Sequence, residues 1–348
     1  MLAWIVFLPF VMAILSYILA KRSEAWRNAV IAAAVVIEFA LTLLIWGKGL
    51  RFDLPYILGG SGLHFMTDGF RCLYALVTSF MWLCTTFFSR EYFLHEKEGL
   101  DHYGVFVLMT LGATEGVMLS ADLLTTFVFF EILSFTSFTW VIHEENKGAI
   151  RAGYTYLFIA VIGGLVLLMG LLLLQNAAGT LAFEELSSAV AASGNPGRIL
   201  AAAICILFGF GCKAGMFPVH IWLPKAHPVA PSPASALLSG VLTKVGVYGI
   251  LMTTAQAMLG NRFYGILVLC LGLVTMALGA VLALFSVNLK RTLACSSMSQ
   301  IGFILTGIGM LVLLAGAEEE EGMLLASSGI VLHMLNHSLI KLDRKSVV

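Results

Sequence analysis

The 348-residue chain is a succession of apolar runs, each close to 20 residues long, and that recurrence limits its folds more than any other feature. Eleven such runs are present, at 2–20, 28–46, 69–89, 103–119, 122–142, 151–175, 198–217, 234–258, 263–285, 290–314 and 323–342. Twenty residues of α-helix rise about 30 Å, the thickness of bilayer hydrocarbon. Backbone polar groups in lipid find no water, so a spanning segment must satisfy them internally, as a helix does. A closed barrel needs short segments of alternating polarity, and these runs are long and continuous. The composition agrees: 59% of residues are hydrophobic and 11% charged, against about 25% charged in a soluble domain. The expected fold class is all-α, a polytopic membrane protein with about eleven transmembrane helices. No basic stretch precedes the first run and no small-residue cleavage site follows it, so it reads as a span and not as a signal peptide.

The formal net charge is +0, so the total says nothing about partners, but its distribution does. With the N-terminus outside, inside loops hold ten basic residues: Lys21, Arg22, Arg27, Arg90, Lys97, Lys147, Arg151, Lys225, Lys290 and Arg291. Outside loops hold five: Lys48, Arg51, Arg71, Arg198 and Arg262. The positive-inside rule therefore predicts an outside N-terminus, with the acidic run Glu318–Glu321 also outside. The six cysteines (Cys72, Cys84, Cys205, Cys212, Cys270, Cys295) sit in apolar runs without C-x-x-C spacing. They read as buried packing groups, not as a disulfide framework or iron–sulfur ligands.

Three helices open the chain, set off by a polar loop at Gly47–Asp68 and a charged loop at Arg90–Asp101. Helices four to eight form a block ending near Met258, and the mildly amphipathic stretch Thr180–Ser193 is expected on the outer surface. Between Lys213 and Gly249 lie five of the eight prolines: Pro218, Pro224, Pro228, Pro231 and Pro233. Proline removes a backbone donor and breaks a helix. The seventh helix is therefore expected to be discontinuous, unwinding near Pro218 and continuing as a short piece to about Ala226. Membrane proteins place such breaks inside protein or along wet cavities, and transporters aim the broken ends at the ion path.

Ionisable residues at bilayer depth cost roughly 2.5–3.5 kcal/mol each on insertion scales and mark functional sites by default. Glu131 is centred in Leu123–Val141, followed by Ser134, Thr136, Ser137 and Thr139, which offer hydrogen bonds. Lys213 stands just before the break, and Lys244 about ten residues into the eighth helix. A lysine beside a carboxylate in a dry site gains or loses its proton as the partner moves. The bland readings are a structural carboxyl for Glu131, buried neutral or paired, and a lysine snorkelling to the inner surface for Lys213; Lys244 is too deep to snorkel comfortably. His220 and His227 flank the break; they fit a proton relay or the satisfying of freed carbonyls, and lack the further ligands a metal needs. His333, His337 and Lys341 recur at i, i+4 and i+8, a polar stripe on one helical face suited to a proton path. Glu38 and Glu115 also lie in apolar runs but have no basic neighbour on their own helices.

Taken together, these residues resemble the antiporter-like membrane subunits of respiratory complex I, Mrp-type sodium/proton antiporters and energy-converting membrane hydrogenases. The resemblance covers roughly Asp68–Lys341. It is carried by GFGCKAGMFPVHIWLPKAHPVAPSPASALLSGVLTKVGVYG, by DLLTTFVFFEILSFTSF around Glu131, by NLKRTLACSSMSQIG at Asn288–Gly302 and by HMLNHSLIK at His333–Lys341. It implies three leading helices (1–101), a first five-helix repeat (102–258) and the start of a second, inverted repeat (259–341). It also implies roles: Glu131 as the fifth-helix glutamate that gates the channel lysine, whether Lys213 of this chain or Lys244 of a neighbour, Lys213 as the seventh-helix lysine, Lys244 as the relay toward the chain's centre, and His333, His337 and Lys341 as the polar stripe of the eleventh helix. Members of the family carry no cofactor or redox centre; they move protons or sodium while other membrane subunits and a peripheral redox module of the NADH:quinone oxidoreductase or hydrogenase type do the electron transfer. A prokaryotic cell membrane and no nucleic acid follow from the same likeness. Lys225, where many complex I relatives have an acid, and the following PSPASALLSG lean toward the hydrogenase and Mrp branches. The text after Lys341, LDRKSVV, reads as a foreign tail at Leu342–Val348 on a truncated chain, leaving the second half-channel incomplete. Two other functions fit the same features: a stand-alone secondary transporter of a small solute, and a membrane scaffold whose buried charges only pair helices.

Overall fold

A computed structural model of the chain describes residues 1–57, 61–94 and 99–346, with side chains through 342. Lys97, counted above among the inside basic residues, lies outside the described residues, as do Val347, Val348 and the side chains of the expected tail beyond Leu342.

The apolar runs are helices, and capping residues fix where they start. α1 (Leu2–Ala20) and α2 (Glu24–Ile45) are joined by a turn in which Ser23 accepts from the Ala25 N–H at 3.2 Å. Asp68 begins α3 (Gly69–Tyr92) by accepting from the Arg71 N–H at 2.7 Å, and its carboxylate also pairs with the Arg71 guanidinium. α4 (Leu100–Met118) follows, and Asp122 caps α5 (Leu123–Ile142) through the Thr125 N–H at 2.7 Å. Each cap satisfies one of the donors that a helix start leaves orphaned. The long α6 (Lys147–Ala178), the short α7 (Phe183–Ala192) and α8 (Pro196–Ala214) come next. After the break come a 3₁₀ turn (His220–Trp222), α9 (Leu223–Val229), α10 (Ser232–Leu237), a π-helical turn (Leu238–Leu242) and α11 (Thr243–Ala257). α12 (Arg262–Leu284), α13 (Leu289–Gly316) and α14 (Glu320–Ser346) complete the described chain. Amphipathic α7, expected from its sequence, buries Phe183 and Leu186.

Among the described residues ten helical segments are long and apolar enough to cross a membrane, and the chain is an integral membrane protein. The eleventh expected span, α4, is a helix of 19 residues that does not meet that description. Its sequence carries Gly, Thr and Glu where it is buried against protein, so it does not need a lipid-facing apolar surface. The loop expected at Gly47–Asp68 holds one antiparallel hairpin, β1 (Arg51–Leu54) with β2 (Leu63–Met66), in the register Arg51↔Met66.

The chain forms two compact units. One comprises Met1–Gly153 with Val229–Val241 and the residues after Lys341. Within it α4 lies close to α1: a Cβ on Gly112 would fall 2.8 Å from the Val6 carbonyl oxygen. Phe65 of the hairpin packs its ring among Phe7, Phe52 and Phe129, which ties β2 to α1 and α5. The other unit comprises Tyr154–Pro228 and Leu242–Lys341. Its tightest feature is the antiparallel pair α12–α13, where Gly265, Gly272 and Gly279 recur every seven residues against Gly302 and Gly309. A Cβ on Gly302 would fall 2.2 Å from the Met276 backbone nitrogen, so only glycine allows this approach.

The cysteines are less uniform than expected. Cys72, Cys212 and Cys295 are buried, Cys84 and Cys205 half-buried, and Cys270 is exposed on the apolar flank of α12; all six are free thiols.

Candidate functional site

The break in the seventh span begins earlier than the proline pattern indicates. α8 stops at Ala214, and Gly215 turns the chain with a left-handed φ of +78°. Glycine adopts this conformation without penalty, which makes it the usual residue just past a helix end. Ending the helix leaves carbonyls of its last turn without intrahelical partners. The Cys212 carbonyl is satisfied by the Trp222 indole N–H, which donates to it at 2.6 Å from beyond the break.

Lys213 sits on that last turn and is 4% exposed. Its ammonium donates to the Tyr156 hydroxyl at 2.5 Å and lies 5.0 Å from the same ring's centroid. The Tyr156 ring packs edge-on against Trp222 at 4.9 Å, so the two aromatic residues brace the lysine and the break together. The lysine is therefore held inside the protein and does not snorkel.

Lys244 is 1% exposed and sits deep in the span Ser232–Ala257, as the sequence indicated, just after the π-helical turn within it. π-turns inside helices are rare and concentrate at functional sites. Two residues further on, a Cβ at Gly246 would fall 2.5 Å from both the Phe210 carbonyl oxygen and the Ala214 nitrogen. This contact brings the turn bearing Lys244 against the turn bearing Lys213.

The stripe on α14 also faces protein. Lys341, 2% exposed, donates to the Leu293 carbonyl at 3.0 Å and to the Ser296 hydroxyl, both on α13. His337 is 4% exposed and its ring stacks on His333 at 6.4 Å, while half-buried His333 stacks on Phe303 at 4.8 Å. Lys244 lies within electrostatic range of both Lys341 and His333. Lys213, Lys244, His333, His337 and Lys341 thus belong to one unit, on α8, α11 and α14.

Of the remaining expected residues, His227 is fully buried on α9 and His220 half-buried, stacked over Phe217 at 6.0 Å. They sit on different elements of the break. Glu131 is half-buried on α5, in the other unit, with Ser134 and Ser137 bonded to carbonyls of their own helix. Among the described residues no group of three or more His, Cys, Asp or Glu is arranged to hold a metal ion. The sequence did not mark Tyr156, Trp222 or Ser296; Tyr156 and Ser296 meet lysines 57 and 45 positions away, and Trp222 bonds back across the break to Cys212, ten positions earlier.

A family model described as "NADH:quinone oxidoreductase/Mrp antiporter, TM" matches residues 120–343, which hold every residue of this arrangement. The chain belongs to this family. Among curated relatives of the antiporter family, Hydrogenase-4 component B of Escherichia coli is 33% identical over 295 residues, 84% of this chain and 43% of its own length. The provisionally named antiporter subunit mnhA2 of Staphylococcus saprophyticus is 30% identical over 323 residues, 90% of this chain and 40% of its own. The chain thus spans about two fifths of the curated relatives it matches. Among solved structures, an archaeal membrane-bound sulfane sulfur reductase superposes with a TM-score of 0.85 at 22% identity, covering 98% of this chain and 69% of that one. The Mrp complex from Dietzia sp. DQ12-45-1b superposes at 0.81 and 24% identity, covering 98% and 62%. The fold is that of these antiporter-like subunits.

Proposed function

We propose that the chain is a proton- or sodium-translocating membrane subunit of a complex I, hydrogenase or Mrp-type assembly. Its ions move through Glu131, Lys213, Lys244, His220, His227, His333, His337 and Lys341, coupled to partner subunits. One observation carries the reading: three lysines, each at most 4% exposed, lie on α8, α11 and α14 of one unit, two of them within each other's field. Burying charges of one sign close together costs desolvation and mutual repulsion, an arrangement more readily explained by ion passage than by packing. They do suit proton passage: charge on one lysine opposes charge on the next, so a proton arriving at Lys244 favours departure from its neighbour. Glu131 supplies the opposite charge that holds a proton at the entrance, and the histidines relay it. The names of the relatives and neighbours, "component", "subunit" and "complex", support membership in an assembly. A prokaryotic cell membrane and an outside N-terminus complete the proposal.

The runner-up is a stand-alone transporter of a small solute, favoured by the broken α8–α9 span. Purification of the native-length protein from its own membrane in mild detergent, with peptide mass spectrometry of everything retained, separates the two. Co-purifying membrane subunits or redox proteins are expected. A protein that elutes alone and takes up a specific solute in vesicles overturns the reading.

A further inference from the structure

The first unit holds a second ionisable pair that takes no part in this path. Glu38 on α2 and Glu115 on α4 are both 0% exposed. All four of their carboxyl oxygens lack a hydrogen-bond partner among the described residues. The two carboxyls lie within each other's field. α2 and α4 are neighbours: a Cβ at Gly104 would fall 2.5 Å from the Ile31 side chain. The basic side chains nearest in sequence are engaged elsewhere, Arg27 with Asp101 and Arg71 with Asp68.

A carboxylate without hydrogen bonds or a cation is not stable in a dry interior, and two side by side are less so. Hydroxyls lie nearby in sequence: Thr42, one turn beyond Glu38, shares a 2.7 Å hydrogen bond with Ser79, and buried Thr114 adjoins Glu115. Carboxyl and hydroxyl oxygens form a hard donor set. The same two helices carry a surface pocket at their starts, lined by Tyr17, Lys21, Glu24, Arg27, Asp101 and His102. Arg27 precedes Glu38 by 11 residues and Asp101 precedes Glu115 by 14, spacings that return to the same helical face. The pair therefore stands about 16–21 Å above the pocket along both helices at 1.5 Å per residue. From the elements packed against α2 and α4, the other ionisable side chains in the interior of this unit are Cys72, Tyr74, Cys84, Tyr103 and Glu131. None of them is basic.

We propose that Glu38 and Glu115 form a monovalent-cation site, holding one proton or one sodium-sized alkali ion between the two carboxyls and loaded from the pocket at the α2 and α4 starts. The site does not depend on the path through Glu131 and the lysines. Dicyclohexylcarbodiimide, an apolar reagent for protonated buried carboxyls, tests it on the native-length protein in its own assembly, with peptide mass spectrometry as readout. Modification of Glu38 or Glu115 is expected. If the occupant is sodium, sodium slows the modification about tenfold and choline does not; if it is a proton, raising the pH slows it and sodium has no effect. Modification of neither carboxyl in the folded protein, with both reacting after denaturation, overturns the site. So does a rate that neither sodium nor pH alters. Glu131 in the same digest reports separately on the other path. The wild-type chain alone decides the matter, so the result does not rest on whether Glu38→Gln folds.

Discussion

The Tyr156→Phe substitution removes one hydroxyl and keeps the ring that flanks Lys213. A hydrogen bond to a charged group is worth about 1.5–3 kcal/mol, so losing it shifts the lysine's local equilibrium by tenfold or more. Tyr156→Phe should assemble at normal levels and translocate ions at a rate about tenfold lower, measured as flux per assembled complex. Trp222→Phe breaks the bond to the Cys212 carbonyl and should loosen the break itself, read as faster proteolysis around residues 214–222. At the hairpin, the His64 Nδ1–H donates to the Asp53 carboxylate at 2.7 Å. That hydrogen bond, with smaller help from the Ser61 carbonyl and the Asp122 and Asp53 charges, raises the imidazole above its ordinary value against a lesser opposing effect of burial. A raised folded-state value means the stabilisation is fully present below the unfolded pKa, about 6.5, and fades as pH rises through the folded one. Amide exchange in β1 and β2 should therefore accelerate as pH passes above that window beyond the intrinsic rate increase, and Asp53→Asn should remove the effect. These residue-level partners were not legible in the sequence. Tyr156 and Lys213 are 57 positions apart, and nothing local marks either as the other's neighbour.

At the scale of elements, period and length were legible because lipid enforces them. Among the described residues ten helical spans fall on the apolar runs, and the starts of α2, α3, α5, α12 and α13 carry Ser, Asp or Asn caps readable in the sequence. The broken span was legible from its prolines, although its stop is set by Gly215 and not by Pro218. The π-helical turn at Leu238–Leu242 was not, since its sequence, LSGVL, is compatible with an ordinary helix and tertiary packing decides. The hairpin was missed because two four-residue strands in a polar loop carry little periodic signal. The α12–α13 pair rests on glycines whose backbones touch, and this makes a clean prediction. Gly302→Leu places a side chain where a Cβ alone would sit 2.2 Å from the Met276 nitrogen. Overpacking costs roughly 1–3 kcal/mol and occasionally more, so the variant should lose several degrees of thermal midpoint in detergent. Gly329, with no atom within 4 Å of a Cβ, should accept alanine with little change in the same assay.

For the whole molecule, membership of the antiporter family and its fold join a set of buried ionisable residues spread over several spans. The sequence exposed that set because charged residues stand out in apolar runs, and it exposed which ones lie deep. It did not show that Lys213 and Lys244 sit on packed turns, nor that Lys341 is held by α13, since both depend on contacts between distant spans. Ion flux per assembled complex in sealed vesicles, comparing wild type with Glu131→Gln and Lys213→Ala, tests the central claim most directly. The account predicts that both variants assemble at normal levels and lose ion translocation by at least tenfold. Variants that translocate normally once assembled, or that fail only because they do not assemble, would contradict it and leave the buried charges with a structural role.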